Sequence, residues 1–155
     1  MEQELITKII QLIAATLGSA GFGIVFNIPK EKMLPAVLGG FVSWLSYLIC
    51  VGAGCNEYLA GFLAAALTTA YAEISARLTK APAIMYIVVG TVPLIPGAGL
   101  YRSMFAMLRM DMVTARQQGI YALLFASSMA AGIVLTTLAD RLFRQYGKRF
   151  AKQQL

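Results

Sequence analysis

The sequence predicts an all-α integral membrane protein with about five transmembrane helices, the fourth of them broken at a segment rich in proline and glycine. The chain is 59% hydrophobic and 13% charged, with a mean hydropathy of +0.71, whereas a soluble domain carries about 25% charged residues. Its 155 residues leave room for roughly five spans of ~20 residues joined by short loops. The broken fourth span is predicted from prolines and glycines inside an apolar run.

The first three helices are predicted from apolar runs that end at helix-breaking residues. Residues 5–26 form the first run, and Pro29 ends it because proline cannot continue a helix and disfavours helix at the residue before it. Residues 1–4 are acidic and lack the basic region of a signal peptide, so this helix is expected to remain in the mature protein. The second helix is predicted over residues 34–51 and the third over residues 58–78.

The fourth segment, residues 82–110, carries two prolines and two glycines inside a membrane-grade apolar run. Neither residues 82–95 nor residues 100–110 alone reach ~30 Å at 1.5 Å per residue, whereas together they do. They are therefore predicted to be two half-helices of one crossing. A helix broken at membrane depth is typical of the substrate site of a transporter. The fifth helix is predicted over residues 120–138.

Positive charges lie between and after the apolar runs and predict the orientation. The positive-inside rule puts the N-terminus outside and the C-terminus in the cytoplasm, with one transmembrane domain over residues 1–140 and a basic tail over residues 141–155. A re-entrant fourth segment would change the parity of the crossings. With five crossings, nine cations share one side: Lys30, Lys32, Arg77, Lys80, Arg141, Arg144, Lys148, Arg149 and Lys152.

The net charge of +6 and the pI of about 9.6 do not indicate a nucleic-acid partner. The basic residues form no stripe with interleaved aromatic side chains, and their placement fits cytoplasmic loops that face lipid headgroups. The membrane lipid is therefore the expected partner of these charges.

The residue types argue against an enzyme. Histidine, the commonest general base and metal ligand, does not occur in the sequence. Cys50 and Cys55 have the spacing of neither a redox pair nor a zinc site; they are expected to fill space at a helix end, with a disulfide in the short loop as the alternative. No segment clusters carboxylates or pairs a nucleophile with a base, so no metal and no cofactor is expected.

Small residues spaced four apart recur in three of the predicted helices. In lipid, such pairs let helix backbones approach closely, which is what packs membrane helices. They are expected either to pack helices within the chain or to offer a docking face to another membrane subunit. The pairs are Ala14/Gly18, Ser19/Gly23, Gly61/Ala65, Ala126/Ala130 and Ser127/Ala131.

The predicted break offers a site for an anion. A half-helix that begins near Leu100 would present unpaired amides and the positive end of its dipole to the gap left by residues 96–99. With Arg102 in its first turn, this helix end is suited to a carboxylate. The alternative is that Arg102 extends to a lipid headgroup and that the break is only a kink.

Glu73 is the only acidic residue well inside an apolar segment. One interpretation is an ion pair with Arg77, four residues later on the same helix. The other is a proton carrier that couples transport to the proton gradient. The hydroxyls of Tyr71 and Tyr101 could contact a substrate, although aromatic packing is the commoner role, and Asn27 could cap its helix or line a cavity.

Three stretches resemble the threonine/serine exporter family, and specifically its smaller membrane half, a five-helix unit of about this length. The resemblance covers the chain up to the basic tail. The most specific stretch is the sequence PLIPGAGLY of residues 93–101, and the other two would be weak alone. These are Gly23-x-x-x-Asn27 followed by Pro29, and Ala76-Arg77-x-x-Lys80-x-Pro82.

The resemblance implies a secondary exporter of small carboxylate-bearing solutes in the bacterial inner membrane, either amino acids such as threonine and serine or dicarboxylates such as succinate. It also implies a larger membrane subunit, here a separate chain, and allows a higher oligomer. Its substrate-site residues would be Asn27, Pro93, Pro96, Gly97 and Tyr101. Gly99 and Arg102 are added to this predicted site because they lie at the helix end that is suited to an anion. A small structural or regulatory membrane subunit without its own substrate remains the alternative.

Overall fold

Six helices make up the computed structural model, which describes the backbone of residues 2–153 and the side chains of residues 2–145. Four helices are long and apolar enough to cross a membrane, and the bent pair α4–α5 makes up to a fifth span, so the predicted fold class is confirmed. A 3-10 turn, Val92–Leu94, extends α4. The helices are α1 Glu2–Val25, α2 Lys30–Gly52, α3 Glu57–Thr79, α4 Ala83–Thr91, α5 Gly97–Leu108 and α6 Met112–Gln153.

The bent pair carries the chain from one end of the bundle to the other. Helices α3 and α6 pack side by side in the same direction: Tyr121 donates a hydrogen bond to Glu57 at the start of α3, and Arg77 pairs with Asp140 at its end. The chain therefore leaves α3 at one end of the bundle and begins to pack against α3 again, as α6, at the opposite end. This direction agrees with a single broken crossing, since a re-entrant segment would have left α3 and α6 antiparallel.

Helix α6 is longer than predicted. The apolar run of residues 120–138 was expected to set its limits, but the helix has 42 residues and is ~63 Å long at 1.5 Å per residue, about twice the hydrocarbon thickness. It begins early because Asp111 caps it, with its Oδ1 3.1 Å from the Thr114 amide. Hydrogen bonds from Thr114 lower the pKa of the Asp111 carboxyl. Polar helix-forming residues then extend the helix beyond the apolar run.

Small residues set the closest helix crossings inside the bundle. Gly39 of α2 and Gly90 of α4 touch backbone to backbone: a Cβ on Gly39 would lie 3.3 Å from the Gly90 Cα. Gly61 of α3 lies under the Phe125 ring of α6, where a Cβ would come within 2.9 Å of it. These contacts hold α4 against α2 and α6 against α3 by close backbone approach.

The predicted small-residue pairs divide between the inside and the outside of the bundle. Ser19, Gly23, Gly61 and Ala65 are buried, as packing within the chain requires. Ala14/Gly18 on α1 and both pairs on α6, Ala126/Ala130 and Ser127/Ala131, are exposed. The inner pairs therefore pack helices of this chain, and the outer pairs face away from it.

Candidate functional site

The break between α4 and α5 is shorter than predicted. After the 3-10 turn only residues 95–96 are non-helical, with φ −59° and ψ 125° at Ile95 and φ −75° and ψ 53° at Pro96. Helix α5 leaves at 57° to α4 and begins at Gly97, three residues before the predicted start near Leu100. The prediction that Arg102 lies in the first turn is therefore wrong; Arg102 lies in the second.

Pro93 leaves a carbonyl without its helical donor, and Ser19 supplies one. In an α-helix the amide of residue 93 would donate to the carbonyl of residue 89, but proline has no N–H. The Ser19 hydroxyl of α1 donates to the Val89 carbonyl at 3.2 Å, and Ser19 is fully buried. Gly40 of α2 makes this possible, because a Cβ there would overlap the Ser19 hydroxyl. The break is thus supported by two other helices.

The N-terminus of α5 presents unpaired amides to the break. The Gly97 amide donates to the Ile95 carbonyl at 2.7 Å and the Leu100 amide to the Pro96 carbonyl at 3.1 Å. The amides of Ala98 and Gly99 have no backbone acceptor among the described residues. Because the positive end of the helix dipole lies at the same place, this end of α5 is suited to an anion.

The two glycines of the motif have different surroundings. A Cβ on Gly97 would meet open space, whereas a Cβ on Gly99 would lie 3.3 Å from the Tyr121 ring and 3.4 Å from the Ala122 Cβ. Further along the same contact, the Ser103 hydroxyl donates to the Ala115 carbonyl at 2.8 Å. Gly99 therefore holds α5 against α6, and Gly97 keeps space open beside the break.

Tyr101 and Arg102 lie on the exposed side of α5. Tyr101 is 66% exposed and stacks on Phe105 with ring centroids 5.9 Å apart. Within the part of the chain that the structure describes, Arg102 forms no ion pair. Both side chains are thus available to a solute, a lipid or another protein.

Asn27 lies away from the break, in the turn between α1 and α2, with a left-handed φ of 54°. Helix α4 begins at this end of the bundle and the break follows its far end, so Asn27 and the break are about one half-helix apart. An apolar groove of ≈ 290 Å³ lies next to the turn and is better suited to a lipid chain than to an acid. Its lining residues are Phe26, Ile28, Ile84, Met85 and Val88.

The predicted Glu73–Arg77 ion pair does not form. Arg77 pairs instead with Asp140, which also forms an ion pair with Arg144 at 3.4 Å. The parallel packing of α3 and α6 brings Asp140 to Arg77. The spacing of residues along α3 alone could not show that Asp140 would replace Glu73 as the partner of Arg77. Glu73 is half-buried and has no ion pair among residues 2–145.

Several buried hydroxyls near the break were missed by the sequence analysis. Thr91 of α4 donates to the Ile87 carbonyl at 2.8 Å, and Thr68 of α3 to the Ala64 carbonyl at 2.7 Å. The Thr68 methyl group lies against Gly90. The hydroxyl of half-buried Tyr71, which was named above as a possible substrate contact, instead donates to the Pro35 carbonyl at 2.9 Å. The available signal was the presence of hydroxyl residues inside apolar helices, but such residues also occur where they only bond their own helix.

Comparison with known proteins agrees with this membrane architecture. The family model described as Threonine/Serine exporter, ThrE, matches residues 11–139, which include all of α2 to α5 and most of α1. No solved structure matches the chain.

Proposed function

The chain belongs to the threonine/serine exporter family, and on that premise we propose that it is the smaller membrane subunit of a secondary-active exporter. The exporter carries small carboxylate-bearing solutes, either amino acids of the threonine and serine type or a dicarboxylate such as succinate, out of a bacterial cell. It lies in the cytoplasmic (inner) membrane, with the C-terminus of this chain in the cytoplasm. A larger subunit of the same family, made as a separate chain, completes it.

The observation that carries the proposal is the break between α4 and α5. An unpaired backbone group in hydrocarbon costs several kcal/mol, so free amides persist only beside protein, water or a ligand. The amides of Ala98 and Gly99 are of this kind. A carboxylate would supply both the acceptors and the negative charge that the start of α5 favours. Pro93 and Pro96 create this helix end, and Gly97 keeps it uncovered.

The exposed side of α5 supports the proposal of a partner subunit. Tyr101, Met104 and Leu108 are 66%, 66% and 84% exposed, while Gly99 and Ser103 on the other side of α5 pack on α6. The small residues at 126–131 of α6 also face outward, where close approach of another helix is favourable. A larger subunit seated there would close the solute site on its open side.

Glu73 is the candidate for proton coupling. Since Arg77 is engaged by Asp140, the Glu73 carboxyl is not neutralised by the cation nearest to it on α3. An acidic side chain in a membrane helix without a cation partner is costly and usually functional. We propose that Glu73 gains and loses the proton whose movement drives export.

The test is efflux of preloaded labelled threonine and succinate from cells that make both subunits. Arg102→Ala should weaken efflux more than Arg102→Lys, because lysine keeps the charge that attracts a carboxylate and loses only the forked geometry. Lys30→Ala is the matched control, since Lys30 is an exposed cation at the other end of the bundle. Unchanged efflux of both solutes from the Arg102→Ala variant would favour a structural subunit without a solute site.

A further inference from the structure

Two buried donors on α2 have no hydrogen-bond partner among the described residues: the Ser43 hydroxyl and the Trp44 indole N–H. Ser43 is fully buried. Other buried hydroxyls in the bundle, those of Thr68, Thr69 and Thr91, donate to a carbonyl one turn earlier in their own helix. Ser43 could use the same arrangement but does not. A buried donor without an acceptor costs free energy, so this pair requires an explanation.

The position of the two donors in the bundle coincides with the break. Helices α2 and α4 run in the same direction and touch where Gly39 meets Gly90. Ser43 lies one turn after Gly39, and Leu94, the last residue of the 3-10 turn, lies one turn after Gly90. Trp44 packs against the core cluster that contains Leu94. Ser43 and Trp44 are therefore at the level at which the backbone of α4 ends.

The chemistry of the pair specifies an acceptor. An indole N–H only donates, and a serine hydroxyl that lacks an acceptor is free to donate. A carboxylate presents two oxygens, each with room for more than one donor. An ammonium group, which only donates, cannot satisfy the indole.

We propose that Ser43 and Trp44 are binding residues for the carboxylate of the transported solute, which accepts hydrogen bonds from the Ser43 hydroxyl and the Trp44 indole at the level of the break. This inference rests on the proposed function and extends its site from α5 to α2. It also assigns a preference: a carboxylate offers one charged oxygen to each donor, so the site favours it over a neutral amide, whose single oxygen would have to accept both.

The experiment measures how efflux of labelled threonine and succinate depends on internal solute concentration, in cells that carry the whole exporter. Ser43→Ala should raise the half-saturating concentration about tenfold, the effect of one lost hydrogen bond to a charged group, with little change in maximal rate. Trp44→Phe should do the same, because phenylalanine keeps an aromatic ring against Tyr47, whose ring centroid is 5.2 Å from that of Trp44, and removes the donor. Ser46→Ala is the matched control, since the Ser46 hydroxyl already donates to the Val42 carbonyl at 2.7 Å.

A second measurement uses the fact that Trp44 is the only tryptophan of the chain. Succinate should shift the indole fluorescence of the purified protein at a concentration about tenfold lower than the neutral diamide succinamide requires, since hydrogen bonds to a charged acceptor are stronger. Wild-type efflux with unchanged half-saturation in both variants would overturn the inference while leaving the proposed function intact. Absence of efflux together with a succinate-dependent shift would remove the transport proposal and keep the carboxylate site. Absence of both would overturn both.

Discussion

The hydrogen bond from Ser19 to the Val89 carbonyl predicts a specific loss of stability when the hydroxyl is removed. Ser19→Ala keeps the Cβ that packs beside Gly40 and leaves the carbonyl without a donor, since Pro93 offers none. An unpaired buried acceptor costs about 1–3 kcal/mol in soluble proteins, while side-chain hydrogen bonds between membrane helices average about 0.6 kcal/mol. We expect a loss of about 1 kcal/mol, or ~2–4 °C in Tm for a chain of this size.

The decisive assay is a double-mutant cycle with Pro93→Ala, measured by thermal unfolding in detergent and followed by circular dichroism. Alanine at position 93 restores an amide that can donate to Val89, so Ser19→Ala should cost almost nothing in that background. Thr16→Val is the control, because the Thr16 hydroxyl bonds the Leu12 carbonyl of its own helix at 2.7 Å. An equal loss from Ser19→Ala in both backgrounds would refute the idea that the hydroxyl replaces the missing amide.

Three further predictions concern transport and topology. Glu73→Gln should leave the protein in the membrane but make efflux independent of the proton gradient; an unchanged pH profile of efflux would exclude Glu73 as the proton carrier. Gly99→Leu should push α5 away from α6 and abolish efflux, whereas Gly97→Leu, whose Cβ meets open space, should assemble normally and obstruct solute only; equal thermal stability losses in the two variants would contradict this. A reporter fused after Lys152 should behave as cytoplasmic and one at Gly54 as external, and finding both on one side would exclude five crossings.

The five-span fold and the position of the break were predictable from the sequence because both depend on local chemistry. Apolar runs of sufficient length define spans, and Pro93 and Pro96 lack amide donors wherever they lie. The limits of α6 were not predictable from hydropathy. Asp111 caps the helix nine residues before the predicted start at residue 120, and at the other end polar residues continue the helix beyond the apolar run.

The polar partners of the site were not predictable, because they come from distant parts of the chain. The spacing of Glu73 and Arg77 allows an ion pair within one helix. Arg77 pairs instead with Asp140, which lies 63 residues further along the chain. The sequence indicated only that Ser19 is a small packing residue. In the structure its hydroxyl also donates a hydrogen bond to the carbonyl of Val89, 70 residues away. Only the packing of α1 and α2 against α4 makes that second role visible.

The break separates two half-helices that are fastened to different neighbours. The Ser19 hydroxyl fastens α4 to α1, and the Ser103 hydroxyl fastens α5 to α6, while no side-chain hydrogen bond among the described residues joins α4 to α5. The direct link between α4 and α5 is therefore the backbone of residues 95–96, although α3 packs against both α4 and α6. The ring of Pro96 fixes its own φ and also restricts Ile95 to extended conformations. Rotation of α5 relative to α4 is accordingly concentrated at the Pro96 ψ bond. Because α6 is itself held on α3 by the Gly61–Phe125 contact, such a rotation would have to break the Ser103–Ala115 hydrogen bond that fastens α5 to α6.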